Sequence, residues 1–212
     1  MPDGQETVFV VDDDEAVRRG LARLLRSAGL AVESFASGGD LLARDPYDGV
    51  GCIVLDVRMP ELDGMELQTA LAERHIDLPI VFLTGHGDIP TSVRAIKKGA
   101  FDFLTKPVDE EVLLAAVSEA LERHRVDRSE RQEVEALLAR LDSLTPRELE
   151  VLRCVITGAL NKQIAACLGI AKKTVKIHRG QVMRKLGTKT VAELIQTCQR
   201  IGVEPRSDAL PQ

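Results

Sequence analysis

Short, almost wholly apolar runs that each end in a polar residue are the feature that most restricts how this chain can fold. The run Ile53-Val54-Leu55 has no polar face and ends in Asp56. Such a run is typical of a strand that is buried on both faces inside a parallel sheet. Ligands bind at the carboxyl ends of the strands in an open α/β sheet, so Asp56 is predicted to belong to a site. The alternative is that Asp56 only caps the following loop, because aspartate favours turns.

Three other apolar runs end in the same way: Thr7–Val11 before Asp12, Leu78–Leu83 before Thr84, and Phe101–Leu104 before Thr105-Lys106-Pro107. A short strand is also predicted at Ala31–Phe35, and helix-spaced apolar residues separate the runs. The pattern predicts an α/β doubly wound, five-stranded parallel sheet. The polar ends converge if the strand order is 2-1-3-4-5. Their joint occurrence argues against the alternative that each is merely a loop residue.

The acidic cluster Asp12-Asp13-Asp14-Glu15 follows the first predicted strand. Asp14 and Glu15 precede a helix-spaced apolar stripe, and negative charge is favourable at a helix N-terminus. Asp12 and Asp13 have no such local explanation. Adjacent carboxylates repel one another unless a cation offsets the repulsion, so these two residues are predicted metal ligands.

The charge of the chain changes sign along its length. Residues 1–124 carry 23 acidic against 12 basic side chains, a balance of −11, whereas residues 140–212 carry six against 13, a balance of +7. An acidic half suits a cation site, and a basic half suits nucleic acid, although solvated surfaces alone also produce such asymmetry. No basic start precedes an apolar stretch and no run approaches membrane-spanning length, so a cytoplasmic protein without membrane contact is expected. The four cysteines have no metal-type spacing and are expected to be reduced.

The second half predicts four short helices. Thr145–Glu148 forms a capping box with proline at the first helical position, and Asn161 is expected to cap the next helix. Gly169 supplies a tight turn before a third helix over residues 172–186, and Thr190 begins the fourth. Two short helices joined by a glycine turn, the second of them basic, indicate a helix-turn-helix.

One side of the third helix is basic and contains no acidic residue. It carries Lys172, Lys173, Lys176, Ile177, Gly180 and Arg184. A charged helix face is usually only solvated, but a solubility face normally mixes both signs. The pattern therefore favours contacts with nucleic-acid phosphates and bases.

The first half resembles the receiver domain of bacterial two-component response regulators. The matching motifs are Val10–Asp14, Leu55–Pro60 with Asp63-Gly64, Leu83–Gly85, and Lys106-Pro107. The resemblance implies that Asp56 accepts a phosphoryl group and that Mg²⁺ is held by Asp12, Asp13, Asp56 and the Arg58 carbonyl. It also implies that Thr84 hydrogen-bonds the phosphoryl group, that Lys106 pairs with it, and that Phe103 is an aromatic switch. The Arg58 and His86 side chains are expected to tune phosphate lifetime, although His86 is also readily explained as a solvent-facing loop residue.

The second half resembles the LuxR-type effector domain, on the motifs Leu144–Leu152, Gly158 with Asn161–Ala165, Lys173–His178, and Arg184–Leu186. The whole chain then resembles response regulators of the FixJ/NarL class. This implies base readout by Lys176, Ile177 and position 180, and phosphate contacts by Lys173, Thr174 and Arg179. Position 180 is glycine, so a base-reading side chain of some relatives is absent and the operator sequence is in doubt.

The expected organisation is a receiver over residues 1–124, a helical linker over 125–140, an effector domain over 141–204, and a disordered tail over 205–212. The expected partners are a sensor histidine kinase, double-stranded promoter DNA, a second copy of the chain after phosphorylation, and RNA polymerase as a further candidate.

Two rival functions remain open on the sequence. The first is a phosphotransferase or phosphatase that works through an aspartyl phosphate, and the second is an atypical regulator that works without phosphate. No substrate pocket or second general acid is evident for the former, and the intact set of polar strand ends argues against the latter. The chain is therefore not expected to be an enzyme beyond assisting its own phosphotransfer and dephosphorylation.

Overall fold

The computed structural model describes residues 6–85 and 89–206, with the backbone alone described over 89–92. The chain forms two compact units, Met1–Arg128 and Ser129–Gln212. Within the described ranges, no helix is both long enough and apolar enough to cross a membrane. The expected contribution of His86 falls outside the described residues.

The first unit is built on a five-stranded parallel sheet. Its strands are β1 (Thr7–Val11), β2 (Ala31–Phe35), β3 (Gly51–Asp56), β4 (Ile80–Thr84) and β5 (Asp102–Thr105). The strand order is β2-β1-β3-β4-β5, which confirms the predicted doubly wound sheet. All residues of β1, β3 and β4 are buried, as continuous apolar runs require.

Helices cover both faces of this sheet. They are α1 (Glu15–Ser27), α2 (Gly38–Leu42), α3 (Gly64–Glu73), α4 (Ile89–Lys97) and α5 (Glu110–Asp142). Side chains alternate between faces along a strand, so Val8 and Val10 of β1 join one apolar cluster and Phe9 and Val11 join the other. The two clusters leave the carboxyl ends of the strands as the polar edge of the unit.

Two strands begin later than the sequence pattern indicates. β4 starts at Ile80 rather than Leu78, because Pro79 has no N–H to contribute to the ladder, although its carbonyl still accepts from the Ile53 N–H at 2.9 Å. β5 is shifted by one residue, to Asp102–Thr105. Neither shift changes which residues follow the strand ends.

Residues 125–140, expected to form a helical linker, are helical, since α5 continues to Asp142. Its last turns in the first unit are tied to the loop before β3. The buried His124 Nδ1 accepts from the Gly51 N–H at 3.1 Å, and Arg128 donates to the Asp48 carboxylate and carbonyl at 2.7 and 2.8 Å. These bonds fix where α5 leaves the sheet.

The second unit is helical. It contains α6 (Pro146–Val155), α7 (Asn161–Leu168), α8 (Lys172–Leu186) and α9 (Val191–Arg200) around one apolar cluster. Thr145 caps α6 in a complete capping box with Glu148. Gly169 ends α7 in the left-handed conformation, at φ 64°, and produces the predicted turn before α8.

One detail of this unit differs from expectation. Asn161 does not cap α7: Leu160 precedes the helix, and the Asn161 side chain instead accepts from Arg179 at 2.9 Å. The last described residues are held on the unit, because Val203 packs on the apolar cluster and the Arg206 N–H donates to the Arg153 carbonyl at 3.1 Å. Residues 207–212 lie outside the described range.

Glu148 is the buried carboxylate of the second unit, 3% exposed. The Glu148 carboxylate accepts hydrogen bonds from Lys185 Nζ at 2.6 Å and from the Thr145 N–H at 2.7 Å. These bonds, the one from Lys185 most of all, lower the pKa of Glu148 to about 2. A carboxyl whose pKa is lower in the folded than in the unfolded state stabilises the fold above its unfolded pKa. That contribution is lost as the pH falls from about 4.5 towards about 2.

We expect Glu148→Gln to lower the stability of the second unit by about 2 kcal/mol at pH 7, because it removes hydrogen bonds to a charged group. The variant should also lose much of the wild-type dependence of stability on pH below 4.5. Hydrogen exchange of the α6 and α8 amides, corrected for the intrinsic rate at each pH, measures both effects. Glu150→Gln is the matched control, because Glu150 makes only a surface pair with Arg147. An equal loss of stability in both variants would contradict the conclusion that the buried position of Glu148 makes its carboxylate stabilising.

Candidate functional site

The parallel register brings the polar strand ends to one edge of the sheet. Val11 pairs with Leu55, Asp56 with Leu83, and Thr84 with Thr105. The residues at or directly after these positions therefore lie side by side. They are Asp12, Asp56, Thr84 and Lys106.

Lys106 is the centre of this edge. Its ammonium lies 2.7 Å from Asp12 Oδ2 and 2.6 Å from Asp56 Oδ1. Asp12, Asp56 and Thr84 are only 2%, 6% and 2% exposed. Two buried carboxylates that share one cation form a charged group in a poorly solvated place. Burying such charges costs free energy, so the arrangement is more typical of a functional site than of a group that stabilises the fold.

The remaining carboxylate oxygens of the pair accept from the backbone. The Asp14 N–H donates to Asp12 Oδ1 at 2.9 Å, and the Arg58 N–H donates to Asp56 Oδ2 at 2.7 Å. The loop after each strand thus fixes the orientation of the carboxylate that ends it. Asp56 keeps one oxygen on the backbone and presents the other to the cation.

Burial and hydrogen bonding shift the pKa values of Asp56 and Lys106 in opposite directions. Burial raises the pKa of Asp56, against hydrogen bonding and attraction from Lys106, while Asp12 adds to the increase. Burial lowers the pKa of Lys106, but its bonds to Asp12 and Asp56 outweigh burial and the net pKa is raised. Lys106 is therefore a cation at neutral pH, and its charge favours an ionised Asp56.

The side chains expected to hold a metal are brought together only in part. Asp12 and Asp56 converge, whereas Asp13 is exposed. Over the part of the chain that the structure describes, no three acidic, histidine or cysteine side chains are grouped closely enough to hold an ion. The Lys106 ammonium already lies between the two buried carboxylates, which explains the arrangement.

The donor set nevertheless fits Mg²⁺ in its chemistry. Mg²⁺ prefers oxygen ligands, few carboxylates and retained water, and two buried carboxylates here already face a common cation. Asp13 adds a third carboxylate beside them in sequence. Asp14 is not available in the same way, because its side chain caps α1 by accepting from the Ala16 and Val17 N–H groups.

The two residues expected to form the switch lie on neighbouring strands. Thr84 ends β4, and Phe103 is the second residue of β5. Phe103 is half-buried, and its ring centroid lies 6.0 Å from that of Phe82. The register pairs Phe82 with Phe103 and places Thr84 two residues nearer the site.

Arg18 contributes to the site but carries no sequence signal strong enough to identify it. Its Nη1 donates to the Asp12 carbonyl at 2.6 Å, which ties α1 to the loop that bears the acidic cluster. Basic side chains are unfavourable in the first turn of a helix. That position was the one available hint, and it is weak.

The predicted nucleic-acid surface lies on α8. Lys172, Lys173, Lys176, Ile177, Gly180 and Arg184 are all exposed, while Thr174 and Arg179 are half-buried. Val175, Val182 and Leu186 on the opposite side are buried in the cluster of the second unit. An exposed Ile177, 52% accessible, within a basic surface suits apolar contact with a base edge.

Arg179 lies at the edge of this surface and has a protein partner. Its bond to Asn161 Oδ1 joins α8 to the first turn of α7. Since this bond uses Nη1, the remaining guanidinium donors are the ones to consider for phosphate contact.

Comparison with known proteins agrees with these two units. The response regulator receiver domain model matches residues 8–118, and the model of bacterial regulatory proteins of the luxR family matches residues 142–198. Nodulation protein W of Bradyrhizobium diazoefficiens is 48% identical over 196 residues, which cover 92% of this chain and 86% of that protein. Transcriptional regulatory protein FixJ of Azorhizobium caulinodans is 42% identical, with 96% and 97% covered.

Solved structures give the same result. The response regulator StyR has a TM-score of 0.86 and 46% identity, and the match covers 93% of this chain and 100% of that chain. Full-length FixJ from B. japonicum has a TM-score of 0.57 and 38% identity, with 92% and 97% covered. The implied partners at the level of class are a kinase and DNA. The chain belongs to the response regulators of the FixJ/NarL class, transcriptional regulators that combine a receiver domain with a LuxR-type DNA-binding domain.

Proposed function

We propose that Asp56 accepts a phosphoryl group from a sensor histidine kinase and that phosphorylation drives receiver dimerisation and promoter binding. The observation that supports this most is the convergence of Asp12, Asp56 and Lys106 at the sheet edge, in a chain that also carries the basic surface of α8. The proposal also includes the functional boundaries: a receiver over residues 1–124, a linker over 125–140, an effector domain over 141–204 and a tail over 205–212.

The chemistry begins with an oriented nucleophile. The Arg58 N–H holds one Asp56 oxygen, and the other faces the charge of Lys106. Phosphoryl transfer depends mainly on positioning and on neutralising negative charge. The Lys106 ammonium would therefore move from the carboxylates of Asp12 and Asp56 to pair with the oxygens of the incoming phosphoryl group. Thr84, at the end of the adjacent strand, would donate its hydroxyl to the same group.

Asp12, Asp13, Asp56 and the Arg58 carbonyl are the proposed ligands of Mg²⁺. When bound, the ion supplies positive charge that offsets the phosphoryl oxygens beside three carboxylates. The side chain of Arg58 is exposed and adjacent to Asp56, which suits the proposed influence on phosphate lifetime.

The proposed switch follows from the added charge. A phosphoryl group brings about −1.5 to −2 charge to Asp56, which draws the Thr84 hydroxyl towards it. Phe103 is paired with Phe82, which lies two residues before Thr84 on β4, and the two rings pack near each other. Movement of Thr84 would leave space next to Phe103. An inward turn of Phe103 would change the surface of α4 and β5, through which we propose that two receivers associate.

Dimerisation would then place two α8 helices in successive major grooves of a roughly palindromic site. Lys176, Ile177 and position 180 are proposed to read bases, with Lys172, Lys173, Thr174, Arg179 and Arg184 on phosphates. Gly180 has open space around its Cα, so it leaves a gap rather than a contact at one base. RNA polymerase is a further proposed partner, and promoter binding implies a cytoplasmic location.

Lys173→Ala is expected to weaken DNA binding similarly on all sequences, because Lys173 is assigned to a phosphate. The slope of log K against log salt should fall in magnitude by about 0.9 for one lost phosphate contact. Fluorescence anisotropy with labelled duplexes at several salt concentrations measures the slope. Arg153→Ala removes an exposed charge from α6 and serves as the control. Equal slopes for Lys173→Ala and wild type would place Lys173 outside the interface.

The test of the proposed function is the mass of the full chain before and after treatment with acetyl phosphate and Mg²⁺. Sedimentation should show conversion of monomer to dimer, with one phosphate per chain. Protein that takes up phosphate and remains monomeric would overturn the dimerisation mechanism. Repeated turnover of the donor at a rate unrelated to loss of protein-bound phosphate would instead favour the phosphotransferase or phosphatase function.

A further inference from the structure

Asn161 and Arg179 form a polar side-chain pair at the edge of the predicted nucleic-acid surface. Asn161 is the first residue of α7, and its Oδ1 accepts from Arg179 Nη1 at 2.9 Å. Both residues are half-buried. An asparagine side chain can accept through its oxygen without carrying charge, so the bond fixes one arm of the guanidinium and leaves its other donors available.

Arg179 leaves α8 at the border between the basic surface and the buried side of the helix. At 100° per residue, it lies about 20° around the axis from Lys172 and about 40° in the other direction from Val175. Lys172 is exposed and Val175 is buried. At such a border, the direction in which the guanidinium points decides whether it reaches DNA.

The bond to Asn161 sets that direction. In a helix-turn-helix, the first helix crosses the DNA backbone while the second enters the major groove. Because α7 is this first helix, a guanidinium held at its first turn is placed to meet phosphates rather than base edges. Lys162, the next residue of α7, is exposed and adds positive charge beside the pair.

The neutral character of the partner matters for this role. Other basic side chains of the second unit bind carboxylates, which neutralise their charge. These pairs are Arg147 with Glu150, Lys185 with Glu148, and Arg200 with Glu133. Asn161 instead orients Arg179 and leaves its full charge for a phosphate.

We propose that Asn161 is a positioning residue for DNA binding, which acts by holding the Arg179 guanidinium ready for a backbone phosphate. The inference rests on the proposed function, in which Arg179 contacts a phosphate. An arginine side chain that is ordered only when DNA binds loses rotational freedom at that step and weakens binding. The bond to Asn161 removes part of that loss in the free protein.

The test is a double-mutant cycle on the full chain. Fluorescence anisotropy at low salt, with a labelled duplex of mixed sequence, measures the affinity, because phosphate contacts do not depend on sequence. Asn161→Ala is expected to weaken binding about threefold to tenfold, the effect of ordering one arginine side chain during binding. Arg179→Ala should weaken it at least as much. In the Arg179→Ala background, Asn161→Ala should have no further effect.

Ser143→Ala is the control, because it removes a hydrogen bond of the same unit, from Ser143 Oγ to the Arg140 carbonyl, away from α7 and α8. It should bind DNA as wild type does. Losses from Asn161→Ala that multiply with those of Arg179→Ala would show that Asn161 acts through the fold of α7 and would overturn the proposal. Weak binding by Arg179→Ala with wild-type binding by Asn161→Ala would also overturn it. Wild-type binding by Arg179→Ala would instead remove Arg179 from the proposed phosphate contacts, and the positioning role with it.

Discussion

Asp56→Asn is expected to reduce phosphate incorporation from acetyl phosphate and Mg²⁺ to background. The amide lacks the nucleophilic carboxylate oxygen that faces Lys106 at 2.6 Å. The fold should survive, because the amide is nearly isosteric and its carbonyl oxygen can still accept from the Arg58 N–H. Lys106 also retains Asp12 as a partner, at 2.7 Å. Intact-mass spectrometry of the full chain measures the incorporated phosphate directly.

A control variant that removes a carboxylate elsewhere separates the loss of the acceptor oxygen from the effect of net charge. Asp45→Asn removes an exposed carboxylate that precedes β3 rather than following a strand, so it should incorporate phosphate as wild type does. Phosphate retained by Asp56→Asn at the wild-type level would assign the acceptor to another side chain. Loss of phosphate in both variants would indicate a general effect of net charge.

Gly64→Ala is expected to destabilise the receiver by about 3 kcal/mol, the upper range for overpacking of a core. A Cβ built on Gly64 lies 2.4 Å from the Asp56 carbonyl oxygen and 3.0 Å from Phe82. The first contact is with backbone, so relief requires the β3–α3 connection to move, and that connection carries Asp56. The variant should therefore lose phosphate incorporation together with stability.

Gly20→Ala is the control, because a Cβ there meets nothing within 4 Å. Alanine favours a helix interior by about 1 kcal/mol over glycine, so this variant should be slightly more stable than wild type. Tyr47 is the one tyrosine and the chain has no tryptophan, so tyrosine fluorescence in urea follows the receiver alone. Equal stability of the two variants would contradict the close approach at Gly64.

The receiver fold was predictable because each apolar run had the length and bounds of a buried strand. Asp56, Thr84 and Lys106 were recognisable as a set from their shared position after such runs, since parallel strands bring those positions to one edge. The basic surface of α8 was recognisable because a 15-residue helix without an acidic side chain is unusual for a solvated surface.

The remaining details depend on packing that a linear pattern does not contain. Lys106 bridges the two carboxylates that the sequence assigned to metal and phosphate, because it directly follows β5 and its ammonium reaches both of them from the end of that strand. Asn161 had the chemistry of a helix cap, but a partner 18 residues away, Arg179, competes for its oxygen. Arg18 and Gly64 act through contacts with backbone atoms of the site, which side-chain identity alone does not reveal.

The most direct test of coupling between the two units is DNA affinity with and without beryllofluoride and Mg²⁺, for wild type and Asp56→Asn. We predict that wild type binds its promoter at least about tenfold more tightly with the phosphate mimic, a coupling free energy of about 1.4 kcal/mol. Asp56→Asn should bind with one weak affinity in both conditions. Wild-type affinity that does not respond to the mimic would contradict phosphorylation-controlled promoter binding and favour a regulator that works without phosphate.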